Sequence, residues 1–290
     1  MKIYLDGQYC AKEDAKISVF DHGLLYGDGI FEGIRAYNGR VFRLDEHVDR
    51  LYDSAKAILL TVPLTQQEIK DVVVETCRLN GIKDGYIRLV VTRGVGDLGL
   101  NPNKCPKATV FCIVTGISIY PEKAYQEGLK VVTAATQRIS PASLSPAIKS
   151  LNYLNQIMAR IEGNLAGADE LIVLNNEGFV AECTADNVFV VKKDRIFTPP
   201  VSAGALGGIT RRAVIDLAVE MGLMIEEVNL TRYDLWVADE IFLTGTAAEV
   251  VPVREMDGRS IGTGKPGPVT EQFTKAYHQL TNSSGTPIPS

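Results

Sequence analysis

Gly27-Asp28-Gly29-Ile30-Phe31-Glu32-Gly33 continues as Ile34-Arg35-Ala36-Tyr37-Asn38-Gly39-Arg40-Val41-Phe42-Arg43-Leu44, and whether it forms a helix or a hairpin separates two fold classes. Its glycines superficially suggest a dinucleotide fingerprint. That fingerprint needs G-x-G-x-x-G at the opening of a helix, so that a pyrophosphate can sit on unpaired N–H groups. Here the spacing is G-x-G-x-x-x-G, and the residues after it are β-prone. Ile30 to Tyr37 reads as a strand, Asn38-Gly39 as a tight turn and Arg40 to Leu44 as the return. Asn-Gly between β-prone runs is a strong hairpin signal, because both residues tolerate the positive φ of a two-residue turn. A hairpin where a dinucleotide fold needs a helix removes that fold from consideration.

Working outward, Met1 to Gln8 reads as a strand and a turn, and Asp21 to Gly29 as a glycine-rich loop. Asp45 to Leu60 has helical periodicity, with Asp45 as its capping residue. Thr65 to Asn80 is a second helix, with Thr65 as N-cap, Glu68 three residues on and Gly81 just past its end. Strands follow at Gly85 to Arg93 and Ala108 to Gly116. The proline, glycine and charges of Ile119 to Gly128 suit a connection. Beyond it come a strand at Leu129 to Ala134, a helix at Asn152 to Ala166, and a hairpin of Glu170 to Leu174 with Phe179 to Glu182. Asn187 to Lys192 is a strand, Ile209 to Met221 a helix, Met224 to Val228 a strand, Leu230 to Leu235 a short helix, and Glu240 to Thr244 a strand. A last helix spans Gly267 to Leu280, and Thr281 to Ser290 has the Ser/Pro/Gly composition of a disordered tail. This order is α+β with mixed or antiparallel sheets. It predicts a small domain at 1–118, a linker at 119–128, a larger domain at 129–280 and a tail at 281–290.

The 290 residues suffice for two domains of ordinary size. Hydrophobic content of 46% and charged content of 22% describe a well-packed globule. The net charge of −5, with no basic stripe, gives no electrostatic support for nucleic-acid binding. Polar residues follow Met1 too soon for a signal peptide, and no apolar run approaches the roughly 20 residues of a membrane span, so the cytoplasm is the expected location. Five scattered cysteines without a CxxC pair and three distant histidines argue for reduced thiols and against a zinc site. Gly262-Thr263-Gly264-Lys265-Pro266 is no P-loop, since its spacing is wrong and proline stands at the Ser/Thr position.

The chemistry points to Lys149, in Ala147-Ile148-Lys149-Ser150-Leu151-Asn152-Tyr153-Leu154-Asn155, at a loop-to-helix step. An amine held at its backbone can become a nucleophile once desolvation or a nearby cation favours its neutral form. Tyr153 offers a phenol nearby, and Glu182 puts one acid into a small, polar stretch, Glu182-Cys183-Thr184-Ala185-Asp186-Asn187. Gly207-Gly208-Ile209-Thr210 before a helix, and Gly245-Thr246-Ala247-Ala248 after a strand, could each cradle a phosphate on backbone N–H groups. Taken singly, Lys149 could be a surface lysine, Arg50 a solvated helix residue and the two loops ordinary turns. Together, a lysine for a Schiff base, a phenol, a carboxylate and phosphate loops are what pyridoxal 5'-phosphate asks of a protein.

The combined pattern resembles the class IV, fold type IV, pyridoxal phosphate aminotransferases, and most of all the branched-chain amino acid aminotransferases. The stretches that carry it are DHGLLYGDGIFEGIR (21–35), RLDEHVDRL (43–51), YIRLVVTRGVGDLGL (86–100), KSLNYLN (149–155), ECTADNVF (182–189), GITR (208–211) and GTAAEVVPV (245–253). The resemblance implies a smaller amino-terminal α/β domain and a larger domain with a mixed, barrel-like sheet. It implies that Lys149 carries the cofactor as a Schiff base, Tyr153 bonds its phenolic oxygen and Glu182 pairs with its ring nitrogen. Arg50, Leu206, Gly208, Ile209, Thr210, Gly245 and Thr246 complete the implied cofactor set. Tyr26, Phe31, Gly33, Tyr86 and Arg88 are the implied substrate walls, with Thr246 and Ala247 at the substrate carboxylate. The implied reaction is ping-pong transamination of leucine, isoleucine or valine with 2-oxoglutarate, in amino-acid biosynthesis, by a homodimer or an assembly of dimers. Arg88 is the candidate for glutamate's second carboxylate.

Relatives of the same fold are the alternatives. D-amino-acid aminotransferases carry an Arg-x-His trap, absent from Arg93-Gly94-Val95-Gly96-Asp97. Aminodeoxychorismate lyases usually carry Asn-Arg after the lysine, where this chain has Asn152-Tyr153. An (R)-selective amine transaminase or a broader-range enzyme stays open, whereas a non-catalytic binding protein on this fold would be expected to lack the lysine or the carboxylate, and both are present.

Overall fold

The computed structural model describes residues 1–116 and 120–289, so the expected boundary at 118/119 lies outside the described residues. Two compact units emerge. The first gathers residues 1–116, 148–152 and 281–289, and the second residues 120–147 and 153–280. In chain order the elements begin β1 (Lys2–Leu5), β2 (Gln8–Ala11), α1 (His22–Tyr26), β3 (Gly29–Tyr37), β4 (Arg40–Val41), α2 (Leu44–Ala57), α3 (Gln66–Leu79), β5 (Gly85–Thr92) and β6 (Thr109–Thr115). They continue α4 (Glu122–Glu127), β7 (Leu129–Thr133), α5 (Leu154–Ala166), β8 (Glu170–Leu174), β9 (Val180–Cys183), β10 (Asn187–Lys192) and β11 (Arg195–Thr198). Then come α6 (Ile209–Glu220), β12 (Ile225–Glu227), α7 (Arg232–Trp236), β13 (Glu240–Gly245), β14 (Glu249–Met256), β15 (Arg259–Ser260), α8 (Pro268–Ser283) and β16 (Thr286–Pro287).

The first unit is a sheet in the order β16-β4-β3-β5-β6-β1-β2. The β3–β4 hairpin turns at Asn38 (φ 47) and Gly39 (φ 73), as the Asn-Gly pair predicts. Side chains alternate across β3. Ile30, Ile34 and Ala36 join Ile87, Leu89 and Val91 of β5 in a core with Val48 and Leu51 of α2 and Ile69 and Val73 of α3. Phe31, Gly33 and Arg35 therefore face the other way, in register with Val90, Arg88 and Tyr86. The second unit holds a mixed sheet, β12-β11-β10-β13-β14-β7-β8-β9, with β7 parallel to both β14 and β8 and β15 paired to β14. The α+β expectation holds.

Several local expectations fail for physical reasons. Asp21 to Gly29 is not simply a loop. Asp21 caps α1 by accepting from Gly23 N at 2.8 Å, and Gly27 ends it at φ 68. Asp45 does not cap α2. Arg43 holds that position at φ 46 without a side-chain bond, and Asp45 lies in the first turn beside the positive helix end. Part of the expected linker forms α4 in the second unit, closed by Gly128 at φ 88. The segment 148–152 belongs to the first unit. The tail is also ordered: α8 runs to Ser283, β16 pairs Thr286 with Val41, and Ile288 N donates to Gly39 O at 2.9 Å. Its composition argued for disorder, but an open strand edge at β4 supplies partners for its backbone, and Ile288 packs on the core.

Candidate functional site

Lys149 is built into the first unit as a short extra strand on β3. Phe31 N donates to Lys149 O at 3.0 Å, Leu151 N donates to Gly29 O at 2.9 Å, and Ser150 bridges Ile30. Lys149 N donates to Ser54 Oγ on α2 at 3.2 Å. Both backbone groups of Lys149 are thereby fixed, and its Nζ lies 4.5 Å from the centroid of the Phe31 ring. The side chain is half-buried.

Gly33, Tyr86 and Arg88 share the Phe31 face of the sheet. A Cβ on Gly33 would stand 2.2 Å from Tyr86 Oη, so only glycine leaves room for that phenol. Arg88 Cζ is 4.4 Å from the centroid of Phe31 and 5.3 Å from that of Tyr86. A weakly hydrated guanidinium rests readily on such aromatic faces. Among the described residues Arg88 meets no acid. Tyr26 is placed differently. On α1, its hydroxyl donates to Leu98 O at 2.5 Å, which ties it to the loop after β5.

On the opposite, helix-covered face, Arg50 is not a solvated helix residue. Its Nε and Nη2 form a fork on Glu32, at 2.8 Å to Oε1 and 2.7 Å to Oε2. His47, one turn earlier on α2, places Nδ1 2.7 Å from Glu32 Oε2. Sequence reasoning missed Glu32 and His47. The signal was present in the spacing of His47 and Arg50, which lie three apart and share one helix face, and in the position of Glu32 on the core side of β3. Glu32 and His47 are fully buried. Burial pushes the Glu32 carboxyl up, but Arg50 and the His47 hydrogen bond outweigh it and hold it at about 2. His47 is lowered, first by burial and then by the charges of Arg50 and Lys149, against the pull of Glu32.

Both shifts stabilise the folded chain at neutral pH and withdraw in acid. The Glu32 contribution is complete above its ordinary value of 4.5 and is lost as pH falls through about 2. The His47 contribution is complete above 6.5 and erodes as pH falls below it. Thermal melts between pH 7 and 5 should therefore flatten in His47→Gln. An equally steep decline in that variant would remove His47 from the account.

In the second unit Glu182, on β9, is 5% exposed. Its Oε1 lies 2.6 Å from Arg138 Nη2, and its Oε2 accepts from Leu206 N at 2.8 Å and from Asn187 Nδ2 at 3.3 Å. Asn187 also donates to Leu206 O at 3.0 Å. Arg138 and Asn187 are further residues that sequence reasoning missed, and no spacing announces Arg138. Gly208 is the N-cap of α6 and supplies no side-chain bond, so the first N–H groups at Ile209 and Thr210 open onto this end of the unit. A Cβ on Gly208 would meet Asn187 Oδ1 at 2.0 Å. Gly245 ends β13, where a Cβ would stand 1.8 Å from Asp186 Oδ1, and Thr246 and Ala247 make the turn into β14. Thr244, directly opposite Asn187 in the β10–β13 ladder, has a buried Oγ1 without a partner among the described residues. Tyr153 immediately precedes α5 and is half-buried.

Within each unit, then, some of the expected residues share one face or one end, while Tyr26 and Arg50 are placed apart from them. Lys149, Phe31, Gly33, Tyr86 and Arg88 belong to one group, with Arg50 on the covered face. Glu182, Leu206, Gly208 and the α6 start belong to the other. Comparison with known proteins identifies the family. The profile described as Amino-transferase class IV matches residues 29–256. A Methanocaldococcus jannaschii chain provisionally named a branched-chain-amino-acid aminotransferase is 52% identical over 288 residues, 99% of each chain. The solved branched-chain aminotransferase of Thermoproteus uzoniensis with norvaline is similar at a TM-score of 0.94 and 38% identity, covering 100% of this chain and 99% of that one. The solved branched-chain amino acid aminotransferase of Thermobaculum terrenum, in its PLP-form, is similar at 0.90 and 29% identity, over 100% of this chain and 98% of that one.

Proposed function

This chain belongs to the class IV aminotransferases, and from that premise we propose that it moves amino groups between branched-chain L-amino acids and 2-oxoglutarate, with pyridoxal 5'-phosphate as cofactor. The residues fit that cofactor. The α6 start has no side-chain cap, a Cβ on Gly208 would meet Asn187 Oδ1, and the buried Thr244 hydroxyl has no partner among the described residues. Ile209, Thr210 and Thr246, together with Arg50, are proposed to hold the phosphate. Glu182 is proposed to face the ring nitrogen, Tyr153 the phenolic oxygen, and Lys149 to be the point of attachment. When bound, pyridoxal phosphate supplies an electron-poor ring that lets a proton leave the substrate's Cα.

The rest is done by the chain. Lys149 is the base that moves that proton, held at its backbone by β3 and Ser54. Thr246 and Ala247 offer N–H groups to the substrate carboxylate. Phe31 and Tyr86 receive the aliphatic side chain of leucine, isoleucine or valine, and Tyr26 borders the same substrate set. Arg88 receives the second carboxylate of glutamate or 2-oxoglutarate by a charge-assisted fork. One substrate leaves as a 2-oxo acid before the other enters, so the cycle is ping-pong.

The Phe31 ring carries this reading. A single apolar surface has the Lys149 amine 4.5 Å and the Arg88 guanidinium 4.4 Å from its centroid. An aliphatic group and a carboxylate thus both find a receptor near the reacting amine. The test is a panel of L-leucine, D-alanine, an (R)-amine and aminodeoxychorismate with 2-oxoglutarate, alongside borohydride trapping and mass mapping of the labelled peptide. L-leucine should dominate and the label should map to Lys149. Preference for D-alanine, the (R)-amine or aminodeoxychorismate would replace the substrate assignment.

We also propose that the chain assembles as a homodimer or as an assembly of dimers. Leu154, Ile157, Ile161 and Leu165 form an apolar stripe at helical spacing along α5, and Leu165 is 86% exposed. Covering such residues is worth about 1.5–3 kcal/mol each. The double variant Ile157→Glu/Ile161→Glu should shift sedimentation toward a smaller species. An unchanged sedimentation coefficient would move the interface elsewhere.

A further inference from the structure

Arg138 contacts Glu182, the acid proposed to face the cofactor's ring nitrogen. Its Nη2 lies 2.6 Å from Glu182 Oε1, and its Nε donates to Gly204 O at 3.0 Å. At 6% exposure it is as buried as Glu182. Both partners are fastened to one short stretch, since Gly204 O takes the guanidinium and Leu206 N donates to the carboxylate at 2.8 Å. Gly204 sits at φ 107, a conformation suited to glycine, which lets its carbonyl reach Arg138. Asn187 closes the arrangement by donating to both Glu182 Oε2 and Leu206 O. Glu182 is therefore aimed from three sides by donors of its own unit.

The charge balance has a consequence. A buried carboxylate with no cation beside it pulls strongly on any proton or positive group it faces. Glu182 is already compensated by a guanidinium in direct contact. A ring nitrogen facing this acid feels the attraction of the carboxylate reduced by the repulsion of the cation behind it. On the reading of Glu182 as the ring-nitrogen partner, we propose that Arg138 is a positioning residue that aims Glu182 and limits how tightly Glu182 retains a proton on the ring nitrogen. The protonated ring is kept, so it still withdraws electrons from Cα, but it is not locked into one state by an uncompensated anion.

The experiment uses the chain reconstituted with pyridoxal phosphate carrying ¹⁵N in the ring. Ring-nitrogen protonation is followed by ¹⁵N NMR across pH in the parent, Arg138→Met, Arg138→Lys and Glu182→Gln. Arg138→Met should raise the protonation midpoint by about 1–3 pH units, the range expected for removing a contacting charge. Arg138→Lys restores the charge without the fork and should stay near the parent. In the double variant Arg138→Met/Glu182→Gln the upward shift should disappear, because the effect passes through the carboxylate. If Arg138→Met does not fold, Arg138→Gln takes its place with the same expected shift. A native near-UV spectrum with an unmoved or lowered midpoint in the neutral variant would overturn the proposal and leave Arg138 as packing. Failure of the underlying reading looks different: Glu182→Gln alone would then leave the midpoint where it was.

Discussion

Replacing Lys149 by alanine is expected to lower transamination turnover by about ten-thousandfold or more, since it removes the proposed attachment point and the proposed base together. The structure makes this variant unusually clean. Residue 149 is held in place by backbone: its N–H to Ser54 Oγ, its carbonyl to Phe31 N, and the neighbouring Ser150–Ile30 bridge. Alanine keeps all of these, so the strand on the edge of β3 should persist and melting should change little. The measurements are steady-state turnover with L-leucine and 2-oxoglutarate, single-turnover half-reactions, and borohydride labelling. Lys149→Arg retains the positive charge beside Phe31 but cannot serve as attachment or base, and should be equally inactive. Turnover within tenfold of the parent in either variant would sink the mechanism.

How much of this was legible depends on where each signal resides. The Asn38-Gly39 hairpin, the Thr65/Glu68 capping box and the helix after Gly208 are local codes, and the structure contains each of them. The β10–β11 hairpin is silent in the sequence, because Lys193 and Asp194 take positive φ (50 and 62) without a glycine to announce it. Strand β14 was hidden behind the Gly245 to Ala248 loop, whose small residues read as a phosphate cradle. The order of the tail was invisible because its partner, the β4 edge, lies 245 residues away in sequence, and composition reports only the absence of local preference. The same division holds at the site. Lys149, Glu182 and the glycine-rich loops sit in contiguous motifs. Glu32, His47 and Arg138 act through contacts that pair separate segments, β3 with α2 for Glu32 and His47, and the stretch after β7 with β9 for Arg138 and Glu182. Arg50 shows the limit most plainly. Its role as a cation was readable, but not that the buried Glu32, itself in contact with His47, already receives its fork.

Arg88→Ala is expected to reduce kcat/KM for 2-oxoglutarate and glutamate by roughly hundredfold or more, while leucine loses less than about fivefold. A bidentate charge-assisted contact with a carboxylate is worth about 3 kcal/mol, and about 1.4 kcal/mol corresponds to each factor of ten. Leucine presents no second carboxylate, so it forfeits only the packing of the guanidinium on Phe31 and Tyr86, worth about 0.5–1 kcal/mol at a partly exposed site. Two facts favour this asymmetry. Arg88 meets no acid among the described residues, so truncation orphans no carboxylate among them. Its register partner Gly33 carries no side chain, so β3 places no side chain directly opposite Arg88 in the ladder. In the proposed ping-pong cycle the two half-reactions can be measured separately, and the defect should appear only in the one that uses the dicarboxylic substrate. Arg88→Lys should fall between, keeping the charge but losing the planar fork. Equal losses in both half-reactions would show that Arg88 serves the pocket's shape rather than its recognition of the second carboxylate, and that receptor would then have to be sought on another residue.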